Sequence, residues 1–154
     1  MKRLISALAF ALCGPATAAP TFSDSEVNAF CEGKWGTDFR MQNHCRKKIR
    51  DGFDEYSALK TQIDASATQT GNREMVDAFD FCEGKWDHQW NMVAHCARKQ
   101  LKGLDDAMAI VATLPNPTGP LILNECFTKW RLQFNMVAYC MDKQATAWRQ
   151  MNGG

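Results

Sequence analysis

Cysteine, methionine, tryptophan and lysine recur in this chain at one spacing, three times over. Each copy carries a cysteine, then lysine and tryptophan three and four residues on, an aromatic at eight, a methionine at ten and a second cysteine at fourteen. The copies are Cys31-Lys34-Trp35-Phe39-Met41-Cys45, Cys82-Lys85-Trp86-Trp90-Met92-Cys96 and Cys126-Lys129-Trp130-Phe134-Met136-Cys140. Six of the seven cysteines lie in this pattern, so any redox, metal or recognition chemistry must run through it.

Three chemistries compete for these residues. Met41-x-x-His44-Cys45 and Met92-x-x-His95-Cys96 offer soft sulfur and imidazole, which suit copper. Against that, the third copy has Tyr139 where the others have histidine, and oxidised cysteines cannot ligate. Thiol-redox and zinc sites commonly use cysteines two residues apart, and no such pair occurs. The cysteines therefore read as structural staples, with no metal and no cofactor expected.

The Lys-Trp pairs are the remaining candidates. Lys34, Trp35, Lys85, Trp86, Lys129 and Trp130 can form a repeated binding edge with tryptophan as the anchor. The alternative packs each tryptophan over its disulfide, with Phe39, Trp90 and Phe134 beside them, and is favoured. In either case the lysines lie along aromatic faces with their charge in water. Lysines seventeen residues after each first cysteine, Lys48, Lys99 and Lys143, share that character. No nucleophile elbow, phosphate loop, H-E-x-x-H or haem motif is present, and His88 stands alone outside the repeat. No catalytic residue is assigned, and the chain is not expected to be an enzyme.

The first eighteen residues read as a secretory signal: Lys2 and Arg3, an apolar run Leu4 to Leu12, then Ala16-Thr17-Ala18 before the cut. Cleavage near Ala18 predicts a periplasmic or secreted protein. It removes Cys13 and leaves six cysteines, an even number suited to an oxidising compartment. It also lowers the basic count from 18 to 16 against 17 acidic residues, a net charge near −1. That balance argues against nucleic acid as a partner. The apolar run is well short of the ~18 residues a spanning helix needs, so the chain is not expected to span a membrane.

Strand patterns are nearly absent, while apolar residues recur at helical spacing, as in Cys45, Ile49, Phe53, Tyr56, Leu59 and Ile63. All-α is the expected class. Cysteines fourteen apart on one straight helix lie about 21 Å apart, too far to bond. Three such helices would place three cysteines in each layer, an odd number. Hairpins resolve the parity by pairing Cys31 with Cys45, Cys82 with Cys96 and Cys126 with Cys140. Gly36-Thr37-Asp38 reads as a stop and a new N-cap, and Asp87 as a cap for the helix after it. The third copy, Trp130-Arg131-Leu132-Gln133-Phe134, has no breaker and is assigned a hairpin by equivalence. Gly52, Gly103 and Ala147 stand at one motif position, where a small residue signals close passage of another helix.

The expected organisation is a signal peptide over 1–18, repeat one over 19–62, a linker at 63–71 and repeat two over 72–114. A Pro-rich linker at 115–120, held to be non-helical, then leads to repeat three over 121–152. The three stapled hairpins should pack into one small domain, with the third docked less tightly. The unequal offsets between copies, 51 and 44 residues, argue against a strict solenoid.

The motif C-x3-W-x3-[FW]-x-M-x3-C resembles one in small uncharacterised exported bacterial proteins, which implies helical structure but no activity. The stapled helical units are also faintly similar to the exported lysozyme-inhibitor family, which implies inhibition of a cell-wall hydrolase as an alternative. The leading expectation is an exported, non-enzymatic binding or envelope-structure protein whose partner is an unknown protein or envelope component. A periplasmic copper- or thiol-handling protein is the other alternative.

Overall fold

Each hairpin begins with a short helix that the chain starts and stops by local means. The computed structural model describes residues 19–153, so the expected signal segment, its cleavage site and Cys13 lie outside the described residues. Six helices follow in order: α1 Asp24–Trp35, α2 Phe39–Thr70, α3 Glu74–Trp86, α4 Trp90–Ala112, α5 Thr118–Trp130 and α6 Phe134–Met151. No strand occurs among the described residues. Ser23 caps α1 by accepting the Glu26 amide at 3.4 Å, and Asp38 caps α2 by accepting the Met41 amide at 3.0 Å.

The turn inside each hairpin is the same. Gly36, Asp87 and Arg131, five residues after each first cysteine, all have positive φ, at 51°, 47° and 42°. Each donates its amide back into the helix it ends, to the carbonyls of Glu32, Glu83 and Phe127. Asp87 thus terminates α3 and does not cap α4, whose N-cap residue Gln89 makes no side-chain cap. The third hairpin forms without a breaker, Arg131 taking a conformation that suits glycine. The turns bring Cys31 to Cys45, Cys82 to Cys96 and Cys126 to Cys140, with Cα separations of 5.8, 5.7 and 5.7 Å, and all three pairs are bonded.

Both expected linkers are shorter than the sequence suggested. Residues 63–70 continue α2, because Ile63 packs on the core and Ala67 is buried. Gly71, with φ of 73°, ends that helix. In the second linker, α5 already starts at Thr118. Pro120 falls in its first turn, where the missing amide hydrogen would have had no partner within the helix.

The second helices α2, α4 and α6 lie side by side as a spine, and each first helix packs on its own second helix. One core unites repeats one and two around Tyr56, Phe79, Trp90 and Val93. Another joins α4 to repeat three around Ala107, Val137 and Met141. The α4–α6 pair is the most extensive helix contact, so the third hairpin is not the loosely docked one expected. The unequal offsets do not break the stacking either. They differ by seven residues, close to two helical turns, and the extra length sits in α2 at 32 residues against 23 in α4.

Two buried polar groups fasten α2 to α3. The Tyr56 hydroxyl donates to the Glu83 carboxylate, and burial together with that carboxylate pushes its phenol well above the usual range. The Lys60 ammonium, almost fully buried, meets Asp64 at 3.0 Å and Asp80 at 3.3 Å. Burial opposes its charge, but the two carboxylates outweigh it and raise its pKa.

Candidate functional site

The aromatic eight residues after each first cysteine begins the second helix of its hairpin. It plugs the preceding repeat. Trp90 is 8 % exposed, its ring 5.1 Å from Phe53 and 5.7 Å from Tyr56 of repeat one. Phe134 is 4 % exposed and sits over α4, where the Gln100 side-chain oxygen accepts its amide at 2.7 Å. Phe39 has no preceding repeat among the described residues and is 74 % exposed.

Glycine permits this approach. A Cβ on Gly52 would lie 2.5 Å from the Asn91 Cα and 2.7 Å from the Trp90 carbonyl carbon. On Gly103 it would lie 2.6 Å from the Phe134 carbonyl oxygen. Backbone meets backbone at both places, so no rotamer change makes room. The small-residue position therefore marks helix contact in repeats one and two, as expected. Ala147, its counterpart in repeat three, faces solvent.

Each of these junctions builds the same groove. The first, of about 360 Å³, is lined by Phe30, Lys34, Trp35, His44, Cys45 and Lys48 of repeat one, closed by Gln89 and Asn91 of repeat two. The second, of about 160 Å³, is lined by Phe81, Lys85, Trp86, His95, Cys96 and Lys99, closed by Gln133 and Asn135 of repeat three. Every one of these residues has its counterpart at the same motif position in the other groove. Neither groove is lined by a carboxylate. Lys34, Lys85 and Lys129 are exposed and the three partner tryptophans half-buried. The ammonium groups stand 5.6, 5.4 and 5.6 Å from the rings of Trp35, Trp86 and Trp130. The lysines thus lie along aromatic faces, as the sequence suggested, while the tryptophans combine packing with a free edge.

Repeat three holds only half of such a groove. Lys129, Trp130 and Lys143 are retained, but Glu125 replaces the phenylalanine and Tyr139 the histidine, and among the described residues no fourth repeat closes the far side. Lys143 instead lies 5.3 Å from the Tyr139 ring.

The arrangement can hold an anion more readily than it can do covalent chemistry. All six cysteines among the described residues are bonded, which leaves no thiol nucleophile there. Met41, His44 and Met92 line the first groove, but no methionine lines the second, so the soft donor set is not part of what repeats. The closing amides and the role of Lys48 and Lys99 as groove walls were missed by sequence reasoning. Their signal was present: Gln and Asn recur seven and nine residues after the first cysteine in copies two and three only. Those are the copies that have a repeat in front of them.

No protein-family model, curated protein or solved structure matches this chain.

Proposed function

We propose that this chain is an exported, non-enzymatic binding module of the cell envelope, whose two junction grooves hold a polymer bearing repeated anionic groups. One observation carries the reading. An acid-free groove with two lysines and a histidine around a half-buried tryptophan is built twice, in the same arrangement. With signal cleavage the chain has a net charge near −1, so the positive character of the grooves is not that of the chain as a whole. Paired ammonium groups favour carboxylate or phosphate, and the indole edge adds a flat apolar surface beside them. Two such grooves on one stacked array give a repeating ligand a multivalent advantage that a single anion lacks.

An oxidising location, periplasmic or external, is supported by the three disulfides. Among the described residues no helix is long and apolar enough to cross a membrane.

Titration calorimetry with polygalacturonate, with inorganic polyphosphate and with neutral dextran tests the proposal. Polygalacturonate or polyphosphate should bind, more weakly as salt is raised, and dextran should not. Replacing Lys34 and Lys48 by alanine, or Lys85 and Lys99, should weaken binding, and replacing all four should abolish it. Equal binding by the four-lysine variant and the unaltered chain would sink the reading.

A further inference from the structure

Among the described residues the stack is open at both ends, and each end lacks what the other carries. At the two internal junctions the leading aromatic of one repeat is buried against the repeat before it, as Trp90 and Phe134 show. Phe39 is the same motif position at the head of the array and is 74 % exposed. The receiving surface at those junctions consists of Ile49, Gly52, Phe53 and Tyr56 in repeat one and of Gln100, Gly103, Leu104 and Ala107 in repeat two. The same register in repeat three reads Gln144, Ala147, Trp148 and Met151. Gln144 and Ala147 face solvent, and Met151 is 78 % exposed.

We propose that copies of this chain associate head to tail, the Phe39 end of one copy seating on the Gln144–Met151 face of the next. The occupant is a second copy because the contact continues a junction that the chain already makes twice within itself. Charge agrees with that register. The amides that close the internal grooves, Gln89 and Asn91 or Gln133 and Asn135, are replaced at the head by Asp38 and Arg40. The wall they would face in repeat three carries Lys129, Lys143 and Glu125, the last standing where the internal grooves have Phe30 and Phe81. An acid thus arrives opposite two lysines, while Arg40, whose internal counterpart Asn91 lies against Gly52, arrives beside Ala147. Among the described residues Lys129 makes no ion pair within the chain. The second copy would also close the third Lys-Trp groove, which is incomplete without it.

Ala147 sets the strength. At the internal junctions a Cβ in its place would lie well inside van der Waals contact with backbone, so the alanine methyl holds the next copy further off than Gly52 and Gly103 hold their neighbours. The association is therefore looser than the internal stacking and reversible with concentration. It is also heterologous, and repetition extends it to open chains.

Sedimentation velocity of the disulfide-bonded mature chain, from micromolar to millimolar concentration, tests this. The expected result is a sedimentation coefficient that rises continuously with concentration. Ala147→Gly should raise the association constant about tenfold, since it removes an overpacked contact. Phe39→Glu should abolish the rise, and its exposed position leaves the fold intact, which circular dichroism checks. Lys129→Glu and Lys143→Glu should each weaken association, since each puts an acid opposite Asp38. A monomer at every concentration for both the unaltered chain and Ala147→Gly overturns the proposal. So does self-association that Phe39→Glu leaves unchanged.

Discussion

Alanine placed at three helical glycines should give opposite signs, and the sign depends only on what each Cβ would meet. Gly84 lies in α3 with nothing within 4 Å of a built Cβ. Gly84→Ala should therefore stabilise by about 1 kcal/mol, the ordinary helix preference for alanine. Gly52 and Gly103 lie in α2 and α4, where the same methyl would meet the backbone of the next repeat at 2.5 to 2.7 Å. The helix gain of about 1 kcal/mol remains, but α4 or α6 must move as a unit to admit the carbon. Overpacking of that kind costs about 1–3 kcal/mol, and contact with backbone places these sites toward the upper end. Net destabilisation of about 1–2 kcal/mol is the result. Ala147→Gly in the monomer removes a helix-favouring methyl from an exposed site and should cost about 1 kcal/mol. Urea unfolding with the disulfides intact, at a concentration too low for association, measures all four. If Gly52→Ala and Gly103→Ala stabilise as Gly84→Ala does, the junction geometry described above is wrong.

Arg131→Gly should raise the melting temperature, since the positive φ of 42° costs a side-chain-bearing residue about 1–2 kcal/mol; Gly36→Ala should lower it by the same reasoning. Gln100→Ala should cost about 1–3 kcal/mol in chemical denaturation, because the buried Phe134 amide loses the acceptor it meets at 2.7 Å. Alkaline pH should destabilise the fold in two places at once. The Tyr56 phenol is raised above its ordinary 10.0 and the Lys60 ammonium above its ordinary 10.5, so both contribute stability that is complete below about pH 10. That stability is lost as pH rises through the folded values, and Tyr56→Phe should flatten the alkaline limb of a stability-against-pH curve; an unchanged limb would remove Tyr56 from the account.

What the chain alone determined follows from local and covalent constraints. Helical periodicity identified the class, and cysteine parity with an upper limit on bond length selected three hairpins and their pairing. The capping roles of Ser23 and Asp38 were legible because a cap needs only its own next few residues. Gly52 and Gly103 announced that something passes close, since glycine inside a helix has a cost that must be offset. What passes there was not legible. Trp90 and Phe134 are buried by the repeat before them, whereas Phe39, with the same motif position, is bare for want of one. The extension of α2 to Thr70 also escaped local reading, because its polar composition hides the two or three side chains that dock. The grooves belong entirely to the tertiary structure. Their walls come from residues some fifty positions apart, brought together by the stacking of α2, α4 and α6. A repeat declares its own staple in sequence, but the surface between two repeats exists only once the helices have packed.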